Sequence, residues 1–132
     1  MVMLPVSAHA DKARELENAC YDSKGNVAVS VCTSAIEAAP SHSPDESIAL
    51  NLVYAHRGDA YEDLGQYALA RQDLSSAIAL SPNVAGIYAN RAIAEFNERD
   101  YSQAWADVDA SRRLGGTVPQ GFVDLLQRAS PR

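Results

Sequence analysis

A chain that repeats itself has few architectures open to it, because each copy must bury its apolar side against the next one. Two segments here, beginning at Asn51 and Ala85, coincide when shifted by 34 residues. Tyr54 then falls on Tyr88, Ala55 on Ala89, Arg57 on Arg91, Ala60 on Ala94, Tyr67 on Tyr101, Ala70 on Ala104, Asp73 on Asp107 and Leu80 on Leu114. All these matches keep helical phase. In the first copy Leu50, Val53, Tyr54, Arg57, Gly58, Tyr61 and Leu64 recur at steps of three and four residues, one face of an α-helix. Gly65-Gln66 interrupts that face. A second helix then carries Tyr67, Ala70, Leu74, Ala77 and Ile78 inward and stops before Ser81-Pro82, since proline opposes helical geometry in the residue before it. Each copy is therefore a helical hairpin. Gly58, Ala70 and Ala77 leave room where the two helices cross, and Tyr54, Tyr61 and Leu74 fill the space between them.

The period, with Tyr54, Gly58, Tyr61, Ala70, Ala77 and Pro82 in that order, resembles a tetratricopeptide repeat. The next unit keeps Tyr88, Ala92, Tyr101, Ala104 and Val108. It departs from the pattern with Glu95 for the aromatic, Ser111 for the second alanine and Gly116 for the proline, although Gly115-Gly116 is itself a helix-ending signal. A degenerate copy precedes both. Aligning Ser34–Pro40 on Ser76–Pro82 puts Cys32 at the position of Leu74, and counting back through the turn leaves Ala13, Leu16 and Cys20 as an apolar stripe with Cys20 near the position of Tyr61. Ser41-His42-Ser43-Pro44 reads as an inter-repeat loop, and Asp45-Glu46 as the acidic start of a lengthened helix. After Gly116, the residues Val118, Phe122, Leu125 and Leu126 keep helical spacing and supply the end cap that a repeat array needs. The expected fold is all-α, a short right-handed α-solenoid of about three tetratricopeptide hairpins plus a C-terminal capping helix. Its expected layout is a signal-peptide-like tail at 1–10 and one domain at 11–130. Within that domain fall a degenerate repeat at 11–40, repeats at 45–82 and 85–116, and a cap at 119–129.

Cys20 and Cys32 are separated by too many residues for a Cys-x-x-Cys redox pair, and two thiolates without a suitably spaced histidine leave half of a zinc tetrahedron empty. Their places on facing core positions of one hairpin, around the turn at Asp22–Asn26, allow a disulfide if the Cα atoms come within about 7 Å. Two buried free thiols are the other reading. Met1–Ala10 ends in Ala8-His9-Ala10, the small-x-small pattern that signal peptidase cleaves after, but has neither a basic n-region nor a long apolar stretch; a frayed N-terminus with a coincidental Ala-x-Ala is the plain alternative. With the disulfide, the segment suggests a periplasmic or secreted protein of a bacterial envelope, similar to small secreted bacterial tetratricopeptide proteins. A cytoplasmic location with free thiols is the alternative. No apolar run approaches the roughly 18 to 20 residues of a spanning helix.

Chemistry finds little support. His9, His42 and His56 lie far apart in the repeat scheme, and there is no nucleophile elbow, His-Glu-x-x-His or phosphate-cradling glycine loop. Asp59, Glu62 and Asp63 have the spacing of a solvated helix face rather than of an acid–base pair. Arg57 and Arg91 occupy identical repeat positions, which points to packing and hydrogen bonding within the array. No catalysis, cofactor or metal is expected. With 11 Lys+Arg against 17 Asp+Glu, a net charge of −6 argues against nucleic acid or anionic lipid as a partner, since both require clustered basic residues.

The resemblance implies that partners are held in a concave groove lined by the first helix of each unit. It assigns Leu52, Ala55, His56, Asp59, Glu62 and Asp63 of one unit and Ala89, Asn90, Ile93, Phe96 and Asn97 of the next to that wall. The first set is acidic and the second polar with an apolar strip, which suits a peptide or protein partner bearing Lys/Arg and one or two apolar anchors. The co-chaperone type of this family clamps a C-terminal carboxylate with Lys and Asn. Asn90 matches one clamp position, but Ala55 and Asp59 stand at the others, and an acidic residue repels a carboxylate. The expected function is thus a non-enzymatic protein-interaction adaptor or scaffold. A structural or self-associating solenoid module, and a cytoplasmic accessory subunit of an enzyme complex, are the alternatives.

Overall fold

Seven helices follow one another along the described chain: α1 Val6–Tyr21, α2 Gly25–Ala38, α3 Leu50–Asp63, α4 Tyr67–Leu80, α5 Ala85–Asn97, α6 Tyr101–Arg113 and α7 Gln120–Ala129. The structure is a computed structural model and describes residues 6–39 and 49–132. The loop expected at Ser41–Pro44 and the helix start expected at Asp45-Glu46 lie outside those residues, as do Met1–Pro5. Ala49 is non-helical, so α3 begins at Leu50. Val6–Ala10, expected within the tail, form the opening turns of α1.

Each helix packs on the next in order, and the first helices of successive hairpins, α1, α3 and α5, also lie side by side. The core is accordingly a row of clusters rather than one centre. Ala13, Cys20, Ala28, Cys32, Ala35, Val53 and Ala60 join the first hairpin to α3. Leu74, Ala77 and Ile87 join α4 to α5, and Ala92, Ala104, Trp105, Val108, Val123 and Leu126 lock α5 and α6 to the cap. Such an array derives its stability from neighbour interfaces. In α7 the buried pair is Val123 and Leu126, whereas Leu125 is half exposed. The final residues fold back over α6: the Trp105 indole N–H donates to the Ser130 carbonyl at 2.8 Å, and Arg132 lies 3.8 Å from the Trp105 ring centre while forming a bidentate pair with Asp109.

The hairpin interiors work by size matching. A Cβ on Gly58 would stand 3.0 Å from Leu74 Cγ and 3.3 Å from the Ala70 carbonyl oxygen, so α3 and α4 cross closely enough that a methyl group would push its neighbours back by a few tenths of an ångström. One repeat on, Ala92 is tolerated at the same position because Val108 replaces Leu74. The turns repeat as well. After α3 the Gln66 N–H bonds to the Tyr61 carbonyl at 2.8 Å with Gly65 at φ +74°; after α5 the Asp100 N–H bonds to the Glu95 carbonyl at 2.8 Å with Arg99 at φ +64°. Both are helix ends closed through a left-handed residue, comfortable for glycine and strained for arginine.

Candidate functional site

Arg57 and Arg91 are structural staples, each serving two hairpins. Arg57 forms two 2.7 Å hydrogen bonds to Asp73 on its own hairpin and a 3.0 Å bond back to Thr33 Oγ1 on α2. Arg91 repeats this arrangement on Asp107 at 2.6 and 2.8 Å and on Ser75 Oγ of α4 at 3.2 Å. Asp73 and Asp107 are 4% and 3% exposed, so the ion pairs are buried and the fork geometry leaves no loose charge. Tyr54 and Tyr61 place their rings 5.6 and 5.8 Å from the Arg57 guanidinium; Tyr88 does so for Arg91 at 5.7 Å. Where Tyr61 stands, the second unit has Glu95.

The disulfide is formed, with Cys20 and Cys32 bonded and their Cα atoms 4.7 Å apart in the core of the first hairpin. Both residues are fully buried.

The residues expected on the partner-facing wall divide into exposed and internal groups. On α3, Leu52 is 45% exposed and Asp63 is exposed, while Ala55, His56, Asp59 and Glu62 are half-buried. On α5, Asn97 is exposed, Asn90, Ile93 and Phe96 are half-buried, and Ala89 is buried. Phe96 faces the cap, edge-on to Phe122 at 5.6 Å and tilted against Tyr101 at 5.5 Å. Two of the residues meet across the helices: Asn90 Nδ2 donates to Asp59 Oδ1 at 2.9 Å. The amide that matches a clamp position is therefore already engaged by the neighbouring carboxylate.

His56, Asp59 and Asp63 share a hollow of about 160 Å³ beside the α1–α2 turn, with Lys24 at its edge. His56 Nε2 lies 3.0 Å from the Ser23 carbonyl, and its ring stands edge-on to Tyr21 at 5.8 Å. Glu17 Oε1 accepts from the Tyr21 hydroxyl and from the Ala49 N–H. Tyr21, Ser23 and Glu17 thus belong to this wall although no repeat position marks them; the only sequence signal was their closeness to the turn. Asp59 and Glu62 each feel neighbouring carboxylates of α3. Burial first, then the charge of Asp63, pushes Asp59 up to about 6 against the opposing pull of Asn90 and His56. Burial first, then Asp59 and Asp63, pushes Glu62 up to about 7.

Among the described residues, no three His, Cys, Asp or Glu side chains are grouped so as to hold a metal ion, and no helix is long and apolar enough to cross a membrane.

No protein-family model matches the chain, and no curated protein does. Solved structures do. The first tetratricopeptide domain of Spaghetti (RPAP3), bound to the HSP90 peptide SRMEEVD, aligns at TM-score 0.69 and 22% identity over 94% of each chain. The TPR2B domain of yeast Sti1 in complex with an Hsp70 peptide aligns at TM-score 0.67 and 25% identity over 92% of this chain and 95% of that one. The tetratricopeptide domain of Sgt2 from Aspergillus fumigatus aligns at TM-score 0.64 and 23% identity over 91% and 73%. The fold is that of a tetratricopeptide hairpin array, as the 34-residue period implied.

Proposed function

We propose that this chain is a non-enzymatic adaptor that holds a peptide or an extended segment of a partner protein against the face formed by α3 and α5. The observation that carries this reading is the carboxylate group Asp59, Glu62 and Asp63, brought together on one helix face, with the exposed Leu52 about two turns earlier on the same helix. Solved arrays of the same fold hold peptides, and the one described above holds SRMEEVD, which is rich in acidic residues. The charge on this wall has the opposite demand. Clustered carboxylates with only Lys24 beside their hollow attract Lys or Arg and disfavour an acidic peptide. Asp59 also occupies the one amide that would meet a carboxylate. The expected ligand therefore carries basic residues for orientation and an apolar residue for Leu52 and Ile93.

The proposal extends to location. A disulfide in the core of the first hairpin is maintained in an oxidising compartment, which supports the reading of a protein exported to a bacterial envelope. Replacing Asp59 and Asp63 together by lysine tests the binding face. Capture of a partner from envelope extract is expected to be lost while the helical circular dichroism signal stays intact. Undiminished capture by this variant moves the site elsewhere. Alkylation of unreduced protein from the native source tests the location: two reactive thiols would refute it.

A further inference from the structure

The opposite side of α5 carries a second polar cleft. With about 100° per residue, Arg91 and Glu95 point roughly half a turn away from Ile93 and Asn97. There they line a cleft of about 640 Å³ between α4, α5 and α6, together with Gln72, Ser75, Asp100 and Gln103. Glu95 is 3% exposed, and its Oε2 has no hydrogen-bond partner among the described residues. Its Oε1 is 3.6 Å from Arg91 Nε, a guanidinium already committed to Asp107 and Ser75. The other cation of the cleft, Arg71, is paired with Glu98 at 2.9 Å. Each arginine in the wall thus has its own acid, which leaves Glu95 and Asp100 without a cation of their own, Asp100 accepting from the Gln103 N–H at 3.3 Å as the cap of α6. The previous unit places Tyr61 at this position, where it packs beside Arg57 without any desolvated charge. Exchanging an aromatic for a buried acid lowers stability unless a proton or an outside cation completes it.

We propose that this cleft is a binding site for a guanidinium group, with Glu95 as its principal anchor. A planar cation with several donors suits the separated acceptors available, the free Glu95 oxygen, the Asp100 carboxylate and the amide oxygens of Gln72 and Gln103, better than a single ammonium does. Without a ligand, burial first, then the charge of Asp107 and a proton shared with that carboxylate, hold the Glu95 carboxyl up at about 8, with Arg91 pulling the other way and Asp100 adding to the rise. The guanidinium therefore takes the place of a proton, and binding releases that proton. The group has two sources, an arginine side chain of a partner protein or a small free guanidinium compound.

Calorimetry on the Asp59→Lys/Asp63→Lys protein isolates the cleft from the α3 face, so that failure of one site does not imitate failure of the other. The probes are N-acetyl-arginine methylamide, N-acetyl-lysine methylamide and the peptide Gly-Gly-Arg-Gly-Gly. Saturable binding of the arginine amide is expected, weaker binding of the lysine amide, and an affinity that rises up to tenfold per pH unit between pH 6 and 8. Glu95→Gln should abolish binding at every pH while retaining the cooperative melt. Tighter binding of the peptide than of the amide assigns the site to a protein partner, and equal binding assigns it to a free small molecule. Absence of saturable binding by the arginine amide at pH 9, binding unaffected by Glu95→Gln, or a pH-independent affinity would each overturn the proposal.

Discussion

Placing a methyl group on Gly58 tests the size matching that defines the hairpin. Its Cβ would sit 3.0 Å from Leu74 Cγ, 3.2 Å from Leu74 Cδ2 and 3.3 Å from the Ala70 carbonyl oxygen. Leu74 and Ala70 are fully buried, so neither can swing into solvent. Gly→Ala in a helix interior is worth about 1 kcal/mol of stabilisation by propensity alone, while overpacking of a tight core costs about 1–3 kcal/mol. Gly58→Ala should therefore be net destabilising, by roughly 1 kcal/mol. Leu74→Val alone leaves a void and should cost about 1–2 kcal/mol. The two together recreate the Ala92/Val108 combination of the next unit, so the double variant should be more stable than the sum of the single losses by about 1 kcal/mol or more. Urea unfolding followed by far-ultraviolet circular dichroism measures all four proteins. A coupling below about 0.3 kcal/mol, or a Gly58→Ala protein more stable than the parent, would refute the close-crossing argument.

Three further outcomes follow from the same geometry. Arg99→Gly relieves a left-handed residue at φ +64° and should raise stability by about 0.5–1 kcal/mol, read as an increased urea midpoint at unchanged slope. Because folded Glu95 keeps its proton up to about 8 while the unfolded group loses it near 4.5, the folded state binds more protons between these values and stability falls as pH rises through that window. Glu95→Gln should flatten the Tm against pH curve; an unchanged slope would contradict it. Reducing Cys20–Cys32, which closes a separation of 12 residues, should cost roughly 2–3 kcal/mol and loosen α1 and α2 first, as hydrogen exchange measured with and without reductant would report.

What the sequence disclosed and what it withheld separate along a physical line. Contacts inside a hairpin depend on helical period, so Tyr54, Gly58, Leu74 and the equivalence of Arg57 with Arg91 are readable from spacing, and Cys20 and Cys32 fall on core positions that the structure joins. Contacts between hairpins depend on how one pair leans on the next, which spacing does not encode. The turn of Phe96 toward Phe122, the burial of Val123 in place of Leu125, and the approach of Tyr21 and Glu17 to α3 belong to this class. The carboxylates Asp59, Glu62 and Asp63 were legible as one helix face, but the bond from Asn90 to Asp59 required the α3–α5 distance. Glu95 was visible only as a lapse from the repeat pattern; its buried free oxygen emerges once α4 and α6 close over it.

The central claim is that the acidic α3 face chooses its partner by charge. Fluorescence anisotropy with two labelled peptides of equal length and identical leucine positions, one otherwise lysine and the other otherwise glutamate, measures that choice directly. The parent protein is expected to bind the lysine peptide in a salt-sensitive manner and to ignore the glutamate peptide, and Asp59→Lys/Asp63→Lys should reverse the preference. Equal binding of both peptides, or a preference that the double variant leaves unchanged, would contradict it.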